Sequence, residues 1–126
     1  MAHILLAEDD ARIYKMIDTR LPRRGHTVTW AREGPQALAY AQQQRPDLIL
    51  LDIMLPLQEG ISVLRELRAD PQTADIPIIM LTALNDPLTV QTCLEHGATN
   101  YIPKPFSLSE LLDCINEALA SRKTTR

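Results

Sequence analysis

No apolar run in this sequence approaches the roughly 20 residues needed to span a bilayer, so a membrane protein is not expected. The opening MAHILLAEDD turns acidic too early to form the apolar core of a secretory leader. Positive charge is not in excess: 13 Lys and Arg against 16 Asp and Glu leave a net charge of −3. That balance lacks the basic signature of a polyanion binder, and no direct nucleic-acid contact is expected. Cysteine is scarce. Cys93 and Cys114 lack a CxxC spacing and read as small buried hydrophobes in a reducing cytosol, not as a disulfide or a metal site. His3, His26 and His96 share no ligand spacing, and there is no internal repeat, low-complexity tract or interdomain linker. What remains is a cytoplasmic globular domain of 126 residues, 45% hydrophobic and 23% charged. The domain is expected over residues 1–121, with a polar tail at 122–126 that frays.

The stretch PDLILLDIMLPLQEG, Pro46 to Gly60, organises the rest. Leu48 to Leu51 is apolar without alternation, as in a strand covered on both faces, and it stops at Asp52. Leu55-Pro56 then prevents a ladder from continuing. His3 to Ala7 is a similar run that breaks into Glu8-Asp9-Asp10. Thr27 to Trp30, Ile76 to Leu81 (closed by Thr82) and Thr99 to Ile102 complete five strands. Helical spacing lies between them: Ile13, Met16, Ile17 and Leu21; Ala37, Tyr40, Ala41 and Gln44; Ile61, Leu64 and Leu67; a weak helix with Val90, Cys93 and Leu94 facing in; and Leu108, Leu111, Leu112, Ile115 and Leu119. Asp86-Pro87 reads as an N-cap with proline at the first helical position, and Ser107 with Glu110 as a capping box. Strict alternation predicts an α/β fold: a five-stranded parallel sheet in the flavodoxin-like order 2-1-3-4-5, with right-handed crossovers and helices on both faces.

That order sets the first and third strands side by side, so Glu8, Asp9 and Asp52 share one rim. Three close carboxylates cannot all stay ionised unless a cation joins them or some pKa values rise. Oxygen-only ligands suit a hard ion, Mg²⁺ above all. Thr82 and Lys104 reach the same rim from the ends of the fourth and fifth strands. Taken alone, Asp52 is equally a solvated acid at a strand end, and Lys104 a solvated loop lysine. Together the residues supply what phosphoryl transfer requires: a carboxylate nucleophile, a metal seat, a hydroxyl donor and a mobile cation.

The pieces ILLAEDD, LILLDIMLP, IIMLTA and YIPKPF, in that order and spacing, resemble the receiver domain of two-component response regulators, of the kind of the stand-alone chemotaxis regulator. The resemblance covers essentially the whole chain. It implies that Asp52 is the phospho-acceptor, that Asp9 holds Mg²⁺ directly and Glu8 through water, and that the backbone carbonyl of Met54 is a further ligand. It implies that Thr82 bonds a phosphoryl oxygen, that Lys104 pairs with the phosphate beside a cis bond to Pro105, and that Tyr101 is an aromatic switch turning inward with Thr82. The implied partners are a sensor histidine kinase or a His-containing phosphotransfer protein and a downstream protein target. The readout surface is the fourth helix, fifth strand and fifth helix. On this reading the protein is not a turnover enzyme.

The sequence departs from winged-helix regulators that dimerise through that face. Thr99 and Asn100 precede Tyr101 where those carry an acidic pair, and Asp113, Asn116 and Glu117 line the last helix where those carry basic residues. With the sequence closing at Arg126, a single-domain regulator acting by docking is expected. The resemblance implies that the residues two past the acceptor and two past the threonine tune hydrolysis; here these are Met54 and Leu84, apolar and unable to orient an attacking water, so a long-lived phosphoryl group is expected. Three other readings stand beside this one. A haloacid-dehalogenase-type phosphatase would place its nucleophile in an Asp-x-Asp after the first strand, which Glu8-Asp9-Asp10-Ala11 does not match. A flavin-binding module would need a phosphate-cradling loop where these acids stand. An inert receiver that only docks is the third.

Overall fold

The computed structural model describes residues 2–84 and 86–124, without the side chains of 123 and 124. Five strands, β1 (His3–Ala7), β2 (Thr27–Ala31), β3 (Leu48–Asp52), β4 (Ile78–Thr82) and β5 (Asn100–Pro103), form one parallel sheet in the order β2-β1-β3-β4-β5. Five helices alternate with them: α1 (Ala11–Arg20), α2 (Gly34–Gln44), α3 (Gly60–Ala69), α4 (Pro87–Glu95) and α5 (Leu108–Thr124). The expected topology is therefore the observed one.

Every residue of β3 is buried, because helices cover both faces of the central strand. Side chains alternate across each strand and feed two cores. Leu5, Ala7, Ile49, Leu51, Ile78 and Met80 pack with Ala37, Ala41, Val63, Leu64, Leu67 and Cys93 from α2, α3 and α4. Ile4, Leu6, Leu48, Leu50, Ile79 and Leu81 pack on the other face with Ile17 of α1 and Leu111, Leu112, Ile115 and Ala118 of α5. Truncating one of these fully buried leucines to alanine costs about 2–5 kcal/mol, a large part of a small domain's stability.

The helix starts follow local chemistry. Asp10 caps α1 by accepting from Arg12 N at 2.9 Å. Asp86 caps α4 by accepting from Thr89 N at 3.1 Å, with Pro87 at the first position. The capping box closes α5: Glu110 N donates to Ser107 Oγ at 3.1 Å and Ser107 N to Glu110 Oε1 at 3.3 Å. Several local expectations shift: β2 runs on to Ala31, and β5 spans Asn100–Pro103 in place of Thr99 to Ile102. β4 begins at Ile78, because Ile76 still belongs to the turn, its N–H donating to Thr73 O at 3.1 Å. Leu94 does not face in; it is 48% exposed, and only Cys93 of α4 is fully buried. Of the expected tail at 122–126, residues 122–124 continue α5 and Arg122 donates to Asp47 O at 3.0 Å, while residues 125 and 126 lie outside the described ones.

Candidate functional site

The carboxyl ends of β1, β3, β4 and β5 meet at one rim. Parallel register aligns Ala7 with Leu51, so the residue that follows each strand's last rung arrives at the same level. Glu8, Asp9 and Asp52 each offer a carboxylate oxygen within 4.8 Å of the others. Asp9 is exposed, while Glu8 and Asp52 are buried. At that spacing two ionised carboxylates repel by about 3 kcal/mol at an effective dielectric constant near 20.

Lys104 answers part of this charge. Its Nζ lies 2.7 Å from Glu8 Oε1 and 3.1 Å from Asp52 Oδ2. Its backbone is set by a 2.7 Å hydrogen bond from Lys104 N to Thr82 O, and the peptide bond to Pro105 is cis. Asp52 Oδ1 accepts from Met54 N at 3.1 Å, which turns the chain out of the strand. Glu8 Oε2 accepts from Asp10 N at 3.1 Å. Glu8 Oε1 has the ion pair to Lys104 but no aligned hydrogen-bond donor, although it is fully buried. Burial, and then the Asp52 charge, push the Glu8 carboxyl up to about 7 from 4.5, against the opposing pull of Lys104 and the Asp10 amide. Burial opposes the Lys104 ammonium, but Glu8 and Asp52 outweigh it and hold its pKa above the ordinary lysine value.

These features suit a hard divalent cation. The donors are all oxygen, one buried oxygen lacks an aligned donor, and three acids face a single ammonium. Thr82 closes the rim on the β4 side. Its Oγ1 accepts from Leu84 N at 2.7 Å and lies 3.3 Å from Leu84 O, so the hydroxyl is engaged with its own loop. Tyr101 is half-buried on β5 and packs against the α2/α3/α4 core. With Pro87, Val90, Gln91, Leu94 and Glu95 it lines a groove of about 630 Å³ beside α4. Tyr101 is not in the carboxylate cluster.

One residue that positions the site carried no such reading in the sequence. Gly60 opens α3 directly under Asp52: a Cβ there would stand 2.1 Å from the Asp52 carbonyl oxygen. Its N–H donates to Ile53 O at 2.7 Å. Only glycine lets the helix come this close to the strand that carries the central acid.

A family model described as response regulator receiver domain matches residues 4–116. The chain is 40% identical over 126 residues to the DNA-binding dual master transcriptional regulator RpaA of Synechocystis sp., covering 100% of this chain and 52% of that protein. It is 45% identical over 122 residues to the transcriptional regulatory protein AfsQ1 of Streptomyces coelicolor, covering 97% of this chain and 52% of that one. The chain thus spans about half the length of these curated relatives. Among solved structures, the receiver domain of sensor histidine kinase PA1611 from Pseudomonas aeruginosa, with a magnesium ion coordinated in its active site cleft, superposes with a TM-score of 0.86 at 36% identity, covering 94% of this chain and 98% of that one. Chemotaxis protein CheY4 of Vibrio cholerae gives 0.87 at 33% identity, with coverage of 94% and 98%. A match that runs from the first strand into the last helix, over a sheet of the same order, leads to one conclusion: this chain belongs to the response regulator receiver domain family.

Proposed function

We propose that Asp52 accepts a phosphoryl group from a phosphorylated histidine of a kinase or phosphotransfer protein, and that this rearranges the surface around α4, β5 and α5. The observation that carries the reading is Lys104 Nζ standing between Glu8 and Asp52, at 2.7 Å and 3.1 Å, on a rim that also bears Asp9. An Asp52 carboxylate oxygen forms the new bond to phosphorus as the P–N bond breaks. The imidazole nitrogen leaves with the electron pair and takes up a proton. Asp9, Asp52 and the Met54 carbonyl would hold Mg²⁺, with Glu8 acting through water, and the ion would neutralise charge on the phosphoryl oxygens.

Lys104 pairs with the transferred group, because its ammonium already faces Asp52 Oδ2. Thr82 gives up its bonds to Leu84 and donates its hydroxyl to a phosphoryl oxygen. The loop carrying Leu84 follows, and Tyr101 turns inward beside α4. Phosphorylation replaces one negative charge by nearly two and adds acceptor oxygens, enough to bias such a two-state surface by about 1–3 kcal/mol. The downstream target is a protein that docks there. No direct nucleic-acid contact is assigned to these 126 residues, since a net charge of −3 offers no phosphate-binding balance. The protein works in the cytoplasm, and it modifies only itself. No described helix is long and apolar enough to cross a membrane.

Acetyl phosphate with Mg²⁺ tests the chemistry by mass spectrometry of the intact chain. The wild type should gain one phosphoryl group and Asp52→Asn none. A wild type that gains nothing, from acetyl phosphate or from a phosphorylated phosphotransfer protein, refutes the proposal in favour of a receiver that only docks.

A further inference from the structure

The acidic loop after β1 is held by an unusual donor. Glu8 N donates to Ala31 O at 3.0 Å, one step beyond the paired residues Ala7 and Ala31. The Glu8 carbonyl is taken by a side chain: Trp30 Nε1 donates to it at 2.6 Å. Both backbone groups of Glu8 are thereby fixed to the edge strand β2, immediately before Asp9.

The indole is itself held in place. Tyr14 of α1 stacks on it with ring centroids 4.0 Å apart and planes 5° from parallel. The Arg32 guanidinium carbon lies 4.8 Å from the ring centroid. One flank comes from α1, which follows the loop, and the other from Arg32, the residue just past β2. A tryptophan used for packing alone would need only an aromatic face against Tyr14 and Ile13, with which it borders the α1/α5 core. The N–H aimed at the carbonyl between two acids is a separate feature.

We propose that Trp30 is a positioning residue for the divalent-cation site: its N–H holds the Glu8 carbonyl and so fixes the direction in which Glu8 and Asp9 present their carboxylates to the ion. The inference rests on the reading of Glu8, Asp9 and Asp52 as the metal seat. With the donor gone, the Glu8–Asp9 peptide loses its anchor to β2 and the ligand oxygens spread.

Trp30→Phe keeps a ring to stack on Tyr14 and removes the donor. Calorimetric titration with Mg²⁺ at pH 8, on folded protein freed of metal by EDTA and dialysis, should show binding to Trp30→Phe weaker by about tenfold, in line with the loss of an outer partner of a metal ligand. A Trp30→Phe variant that melts lower without metal yet binds Mg²⁺ as tightly as wild type assigns the residue to packing and overturns the proposal. A second measurement needs no variant. Trp30 is the only tryptophan, so intrinsic fluorescence reports the surroundings of this indole alone. Wild-type emission should change with Mg²⁺ at the calorimetric midpoint; emission that stays constant through saturation overturns the proposal. Wild type that binds no Mg²⁺ at all sinks the metal seat itself, an outcome distinct from equal binding by both proteins.

Discussion

Glu8 should make the metal-free protein less stable as pH rises. Its carboxyl titrates near 7 when folded and near 4.5 when unfolded. Between those values the folded state holds a proton that the unfolded state has released. The stabilising contribution is therefore complete below pH 4.5, falls as pH rises, and is gone above 7. At 1.36 kcal/mol per pH unit, the change from pH 5 to pH 8 is about 2–3 kcal/mol. Two other groups act differently. Burial lowers the His26 pKa, so His26 adds stability as pH rises through its range. Lys104 titrates above the ordinary lysine value and stays charged throughout. Urea unfolding of wild type and Glu8→Gln in EDTA at pH 5 and pH 8 isolates Glu8, because His26 cancels in the difference. Wild type should lose about 2–3 kcal/mol relative to Glu8→Gln over that interval. Mg²⁺ at about 100 times its Kd should return about 2.7 kcal/mol to wild type at pH 8, and far less at pH 5, where the proton competes for the same oxygens. Parallel pH profiles for the two proteins would refute the reasoning, since they would mean that Glu8 does not hold its proton on folding.

Two further outcomes are expected. Gly60→Ala drives a Cβ to 2.1 Å from the Asp52 carbonyl. It should cost about 2–4 kcal/mol in urea unfolding and abolish acetyl-phosphate labelling, and an unchanged Cm would contradict the close approach. Met54 is 60% exposed and Leu84 42% exposed, yet neither carries a polar atom suited to orienting water. Phosphorylated protein should therefore decay slowly after donor removal, and Met54→Asn should hasten decay on the order of tenfold. Equal lifetimes for the two would show that water is positioned by something else.

Much of the architecture was legible because it is written in local patterns. The unbroken Leu48–Leu51 run, bounded by Pro46 and Pro56, reads as a doubly covered strand, and it is buried at every position. Asp86-Pro87 and the Ser107–Glu110 pair announced helix starts that form as expected, since a cap needs only neighbours in sequence. Leu94 misled because helical periodicity gives a stripe's direction but not its width. What the stripe's margin touches depends on the helix beside it. At the end of α5, no local pattern announces that Arg122 donates to the carbonyl of Asp47, 75 positions away.

By itself the sequence determined the alternation of strand and helix, and among the few orders that alternation permits, 2-1-3-4-5 is the one that brings Glu8, Asp9, Asp52, Thr82 and Lys104 to one rim. The hydrophobic period and the handedness of crossovers leave few other arrangements. Tertiary structure alone decided which of those acids is dry, which oxygens Lys104 touches, that Gly60 must lack a side chain under Asp52, and that an indole 22 positions away holds the Glu8 carbonyl. Those outcomes depend on distances of a few tenths of an ångström between segments remote in the chain, and they are set only when both cores pack.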